Sequence, residues 1–345
     1  MNKEYLVGAD GIRGTAVLIV LCMHAVSVFF PATMPYLSGM GKVGVWLFFV
    51  LSAFLLSYKF ISKGFDTPGL ISYAIGRTLR ILPLFAIAVC VYSIAGYYPA
   101  SEIINILTFK YGFGHLWTIA VEFKFYFILP FFTAASIYIT DKFGLKSLLI
   151  SAAVFIVIHQ MIYPFFELKE SSIGMMWYIP SFLMGIITAV VYSNKKINIL
   201  PNKSDLIVTI IFSLIVLSSP GARHALFGME MTKDLQQQFI PLSFLWAIFL
   251  LLLVDGKGLW GKLMASTVFK KLGHWSFSIY LFHWVIYLKM ADAFLNNYYA
   301  MFASFFAAII VGATFYNLVE VNIERFRHEL MSNINRKINE RKARQ

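Results

Sequence analysis

Apolar residues in this chain come in long blocks separated by short polar and charged stretches. Ten blocks are long enough, or nearly long enough, to cross a hydrocarbon core about 30 Å thick. They cover 13–31, 43–61, 79–98, 116–138, 147–165, 173–193, 206–219, 239–254, 276–295 and 299–319. The seventh and eighth are short. Strict alternation is absent, so the pattern predicts helices and not strands. The expected fold is all-α, a polytopic integral membrane helix bundle of about ten transmembrane helices. Residues 1–330 form one membrane domain, and 331–345 form a basic tail.

Composition sharpens this picture. Of 345 residues, 59% are hydrophobic and only 13% charged, where a soluble domain is near a quarter charged. The net charge of +12 would suggest nucleic acid in a soluble protein. Here it maps onto topology. Of the 29 Lys and Arg, 22 fall in the N-terminus, the even-numbered connections and the C-terminal tail, and five in the odd-numbered connections. The positive-inside bias then places both termini in the cytoplasm, and no nucleic-acid partner is expected. The tail with RKINERKAR is expected to face solvent or the headgroups of membrane lipids. Cys22 and Cys90 lie inside apolar blocks, so no disulfide framework is indicated. The first block lacks a clear small-x-small cleavage site and is expected to be retained.

The polar residues inside the blocks carry the candidate chemistry. Arg13 and His24 are eleven residues apart, about three helical turns, so they share one face roughly 16 Å apart along the axis. His24 then sits near the bilayer midplane, where an ionisable group suggests function. Arg77 and Arg80, in RTLRILPLF, are neighbours on one helix face. Such a pair suits the phosphates of a phosphorylated cofactor. His115 and Glu122 share a face of the fourth block, and Glu122 reaches about 10 Å deep. If the first and fourth helices are neighbours, Glu122 meets His24 and supports its imidazolium, as a general base requires. Lys124 is a rival partner for Glu122. In the ninth block Tyr280 and His283 share a face, with His283 well inside. Glu320 and Glu324 are expected to pair with nearby Arg. No Cys/His metal spacing and no phosphate loop is visible. A midplane His and Glu would also suit the proton relay of a secondary transporter, though no internal repeat is evident.

Taken together these motifs resemble membrane acyltransferase family 3, the integral membrane O-acyltransferases of bacterial surface polysaccharides. DGIRGTAVLIVLCMHA resembles that family's Arg-x10-His motif, on Arg13 and His24. RTLRILPLF resembles its Arg-x-x-Arg motif, on Arg77 and Arg80. HLWTIAVEFKFYFILP resembles its His-Leu-Trp…Glu block, on His115, Trp117 and Glu122, with Phe123 and Lys124 replacing the usual Glu-Gln. GVWLFFVLSAFLLS resembles its second-helix signature, with Trp46 and Ala53 where an acidic residue and Gly are common. LGHWSFSIYLFHWVI resembles its late signature, on Tyr280 and His283, and IERFR its end, without the expected Pro.

The resemblance implies a multi-pass protein of the bacterial inner membrane. It implies transfer of an acyl group, usually acetyl, from cytoplasmic acyl-CoA to a sugar hydroxyl. The acceptor would be a polysaccharide or its lipid-linked oligosaccharide precursor, as in O-antigen or capsule. His24, Glu122 and Arg13 would be catalytic, and Arg77 and Arg80 would hold acetyl-CoA. His115, Trp117, Tyr280 and His283 would contact substrate. No metal is implied. The fused esterase-like domain of some relatives is not expected.

Overall fold

The computed structural model describes residues 6–194 and 200–342. Lys3, Lys195, Lys196 and Arg344, which contribute to the charge bias, lie outside the described residues. The longer helices are α1 (Ala9–Phe29), α2 (Met40–Lys63), α3 (Thr67–Ile94), α4 (Trp117–Phe143), α5 (Leu145–Ile162), α6 (Ile179–Asn194) and α7 (Pro201–Leu217). They continue with α8 (Pro220–Phe227), α9 (Phe239–Leu253), α10 (Gly258–Met264), α11 (Thr267–Phe294), α12 (Tyr298–Phe315) and α13 (Val321–Lys342). No strand occurs among the described residues. In a bilayer each backbone N–H and C=O must be satisfied within its own segment, which helices achieve.

Local sequence sets the helix ends. Asp66 caps α3 by accepting from the Gly69 amide at 3.0 Å, and Asn297 caps α12 by accepting from Ala300 at 3.0 Å. Gly144 stands between α4 and α5 at φ 85°, a left-handed value that glycine adopts without a Cβ penalty.

Seven helical runs are long and apolar enough to cross a membrane alone, and nine if each sharply bent pair counts as one span. The bent pairs are α7–α8, at 86°, and α9–α10, at 89°. They coincide with the two blocks that read as short in the sequence. The expected ninth span, 276–295, falls in α11, which does not pass on hydropathy. Its 28 residues include Lys270, Lys271, His274, His283, Lys289 and Asp292. Packing carries it across instead. His274 Nε2 lies 3.2 Å from Asp10 Oδ2 near the start of the two helices, and the Asn296 amide bonds the Phe29 carbonyl at 2.9 Å at their ends. Helix α11 therefore runs parallel to α1 from one end of the bundle to the other. The end at which α1 begins is called the terminal face below.

The α1–α11 seam is tight because small residues line it. A Cβ on Gly273 would stand 1.8 Å from the Asp10 carbonyl oxygen, and one on Gly14 would stand 2.4 Å from that of Phe269. On its other side α1 meets α2 at Gly44, where a Cβ would lie 2.5 Å from the Ala16 carbonyl oxygen. Hydroxyl pairs add interhelical bonds: Ser57 with Thr133 at 2.8 Å joins α2 to α4, and Ser243 with Ser181 at 2.8 Å joins α9 to α6. Helix α5 lies at the rim. Only 17% of its apolar window is buried, and Ile150, Val157 and Met161 are exposed, as expected of a lipid-facing helix. Helix α13 passes through position 330 without a break. A single π-helical turn, Tyr316–Glu320, joins it to α12.

Candidate active site

Helices α1, α2, α3, α4 and α11 enclose a column of polar side chains that is arginine-rich toward the terminal face and histidine-rich toward the opposite face. At the arginine end lies a cavity of about 70 Å³. Arg13, Arg77, Arg80 and Glu122 line it, with Ser52, Thr118, Tyr126, Ser276 and Tyr280. The Tyr126 hydroxyl donates to Glu122 Oε1. The Arg77 guanidinium carbon lies 5.9 Å from the centre of the Tyr126 ring. Arg13 Nη1 is 3.7 Å from Asp10 Oδ1. Among the described residues neither Arg77 nor Arg80 has a carboxylate within ion-pair distance. Three guanidinium groups thus face a cavity with one carboxylate. A buried excess of cations needs an anion, so the site fits phosphate groups.

Arg80 also lines a second hollow of about 240 Å³, with Tyr316, Glu320, Glu324 and His328. It stands at the partition between the two spaces. Glu320 accepts from the Ser278 hydroxyl. Glu324 pairs with Arg327, as expected for a carboxylate beside basic side chains, and His328 Nε2 lies 3.2 Å from it. The π-turn that carries Glu320 is an irregularity often found at functional sites.

The histidine end is built on α11. His283 Nδ1 is 2.8 Å from the Tyr280 carbonyl oxygen one turn earlier. Its Nε2 is 2.9 Å from His24 Nδ1, and the two rings stack at 5.2 Å with 8° between planes. Trp284 closes on His24 at 4.7 Å, nearly perpendicular. His115, on the 3₁₀ turn Gly114–Leu116 ahead of α4, packs its ring 4.9 Å from that of His283. Both His115 ring nitrogens are buried without a partner at hydrogen-bonding geometry. Tyr280 links the two ends. It lines the arginine cavity, receives a hydrogen bond from Thr118 Oγ1 at 2.9 Å and donates to the His115 carbonyl at 2.8 Å. Beyond His24, at the face opposite the terminal one, Lys42 Nζ bonds Gln236 at 2.7 Å.

The sequence-based candidates therefore divide between two groups. Arg13, Arg77, Arg80 and Glu122 come together at one end, and His24, His115 and His283 at the other, with Tyr280 between. The expected His24–Glu122 pair is not formed: His24 bonds His283, and Glu122 bonds Tyr126. The two stand at different heights: His24 lies at the level of His115 and His283, and Glu122, about two turns further along α4, lies at the arginine end. Lys124 does not pair with Glu122 either; it donates to the Phe109 and Ile173 carbonyls at 3.3 Å. Trp117 does not line the cavity. Its ring is buried against Tyr178 at 5.1 Å and Phe49 at 6.3 Å, a packing position. Sequence reasoning missed Tyr126, although it lies one turn from Glu122, and Gly41, next to His24, for which no signal existed.

Comparison with known proteins identifies the family. The family model described as an acyltransferase domain matches residues 6–317. O-acetyltransferase OatA of Staphylococcus aureus strain NCTC 8325 / PS 47 is 24% identical over 343 residues, covering 86% of this chain and 52% of that protein. OatA of strain COL matches with the same identity and coverage, 24%, 86% and 52%. A candidate O-acetyltransferase of strain COL is 23% identical over 339 residues, again covering 86% of this chain and 52% of that protein. The chain spans about half the length of these curated relatives. No solved structure matches it. The family match covers nearly all of the described chain, so the protein belongs to this family of acyltransferases.

Proposed function

We propose that the protein transfers an acyl group, acetyl in the simplest case, from acyl-CoA to a hydroxyl of a cell-surface polysaccharide or of its lipid-linked precursor. One observation supports this reading: a column of polar side chains runs from an arginine cluster with spare positive charge, by way of Tyr280, to a hydrogen-bonded pair of histidines. Arg77 and Arg80, with Arg13, would hold the donor's phosphates by charge-assisted hydrogen bonds. The axial distance from Arg13 to His24, roughly 16 Å, is one that a slender pantetheine arm can bridge. His24 takes the proton from the acceptor hydroxyl, and the oxygen bonds to the thioester carbon. The C–S bond breaks, and the leaving thiolate takes the proton back from His24 as free CoA. The names of the staphylococcal relatives, each an O-acetyltransferase, support acetyl as the group and oxygen as the acceptor atom.

The charge bias supports a cytoplasmic terminal face, which would give the arginine end access to cytoplasmic acyl-CoA in a bacterial inner membrane. On a background lacking Cys22 and Cys90, single cysteines at Lys63 and Lys262 should resist an impermeant thiol reagent in intact cells. Cysteines at Ser101 and Lys233 should react. The reverse pattern overturns this orientation. For the activity itself, purified full-length protein should release CoA from acetyl-CoA on addition of the acceptor. NMR of the surface polysaccharide, with and without the protein, should differ by acetyl ester signals. Unchanged esters together with no CoA release would refute acyl transfer.

A further inference from the structure

Histidine is a base at whichever ring nitrogen lacks the proton, and the hydrogen bonds around His24 determine which one that is. The chain of contacts starts from a group that can only accept. The Tyr280 carbonyl lies 2.8 Å from His283 Nδ1, and the Ile279 carbonyl lies 3.3 Å from the same nitrogen. A bare Nδ1 lone pair there would face two oxygen lone pairs, so His283 Nδ1 carries hydrogen and donates. His283 is fully buried at 0% exposure, and no acidic side chain is hydrogen-bonded to it. A second proton would place an unpaired charge deep in the bundle, which is costly. His283 is therefore neutral, and its Nε2 accepts. The hydrogen in the 2.9 Å contact with His24 must then sit on His24 Nδ1. By elimination His24 Nε2 is the bare nitrogen.

That nitrogen is placed to use its lone pair. It has no protein hydrogen-bond partner and is not sealed from the surroundings. It points at Gly41, where an added Cβ would stand 2.8 Å away. With no side chain at that position, α2 leaves the nitrogen uncovered.

We infer that His283 is a positioning residue: with the Tyr280 carbonyl behind it, it holds His24 in the Nδ1–H tautomer, so that the Nε2 lone pair faces Gly41, on the side from which the acceptor hydroxyl enters. This inference rests on the acyl-transfer reading for the identity of that hydroxyl, and on geometry alone for the tautomer. The arrangement is analogous to that of other catalytic bases, in which an orienting partner on one ring nitrogen frees the other. Here the orienting acceptor is a neutral imidazole braced by a backbone carbonyl.

The test uses the full-length protein in lipid nanodiscs with ¹⁵N-labelled histidine rings. Subtracting the spectrum of His24→Gln assigns the His24 signals. In the wild type, His24 should show a protonated Nδ1 and an unprotonated Nε2. His283→Gln offers an amide oxygen where Nε2 was, so it should keep that tautomer and keep turnover within a few-fold. His283→Leu offers no acceptor. Its His24 should redistribute between tautomers, and kcat should fall on the order of 10²-fold with acetyl-CoA KM unchanged. A wild-type His24 protonated at Nε2 overturns the inference, whatever the activity. So do Gln and Leu variants of equal turnover. If the wild type shows the expected tautomer but transfers no acyl group, the tautomer assignment stands and the acyl-transfer reading falls. If the Leu variant does not fold, the wild-type spectrum and the Gln variant still decide.

Discussion

The two ends of the polar column solve opposite problems with similar materials. At the arginine end, charge is in excess. Arg77 and Arg80 have no carboxylate at ion-pair distance, and a cavity of about 70 Å³ keeps them apart from the packed core. At the histidine end, charge is absent and packing is close, with rings stacked at 5.2 Å and a 2.9 Å hydrogen bond between them. Unbalanced charge with free volume is how a protein prepares to receive an anion. Neutral rings with fixed hydrogen-bond directions are how it prepares to move a proton. One end should set affinity for the donor and the other the rate of the chemical step.

The widest breach of this division comes from His24→Ala. Loss of a general base costs roughly 10²–10⁴-fold in rate, and acetyl-CoA affinity should not change. Donor binding by calorimetry and turnover by CoA release separate the two. A parallel loss of donor affinity would merge the ends into one site. Gly41→Ala comes next. Its methyl group would lie 2.8 Å from His24 Nε2, and misplacement of this size costs about 10²-fold in turnover. The expected signature is a fall in kcat with thermal stability within a few degrees of wild type. An Ala variant of normal turnover would leave Gly41 without a role.

On the other side of the comparison, Arg77→Gln should raise the acetyl-CoA dissociation constant. A charge-assisted contact contributes about 1.5–3 kcal/mol, or roughly 10- to 150-fold. Turnover at saturating donor should hold. Glu122→Gln is expected to be milder. It removes the cavity's one carboxylate, so donor affinity should change a few-fold toward tighter binding. Its effect should add to that of His24→Ala, as for residues that do not share a partner. Strong non-additivity would restore the link between Glu122 and His24 that the geometry breaks.

The smallest effect lies outside both ends. From α8, Arg223 Nη1 donates to Asp234 Oδ2 in the following loop at 2.9 Å, and this hydrogen bond holds the Asp234 carboxyl below its usual range. A depressed carboxyl stabilises the fold at pH above its unfolded value, about 3.9, and that contribution disappears as pH falls through the lower folded value. Asp234→Asn should therefore lower the melting temperature slightly near neutrality and not at all in strong acid. Acetyl transfer should be untouched.

Much of this architecture could be read from the chain because hydropathy reports what lipid demands. The two weak blocks, 206–219 and 239–254, became the bent pairs α7–α8 and α9–α10. Helix α11 shows where hydropathy gives less. The polar side chains it brings to the site lower its apolar signal, and its traverse follows from the seam with α1. In the site, residue spacing located Arg13, His24, Arg77, Arg80 and Glu122 because helical periodicity fixes height and face within one helix. It could not report direction between helices. Glu122 was expected at the height of His24, yet α4 carries it to the arginine end, beside Arg77 and Tyr126. Nothing local links His24 to His283, which contact across 259 positions.

That separation also sets a schedule for synthesis. The chain grows at roughly 5–20 residues per second, so the 259 positions between the two histidines take on the order of 10–50 s to make. Through that interval α1 resides at the membrane without the helix that will fill its glycine seam and hold its imidazole. Its basic residues are exposed to whatever surrounds a nascent chain. The base is therefore assembled late, by one of the last helices to emerge. Premature termination before α11 would leave every arginine of the cavity but neither Tyr280, which links its two ends, nor the histidine that bonds His24.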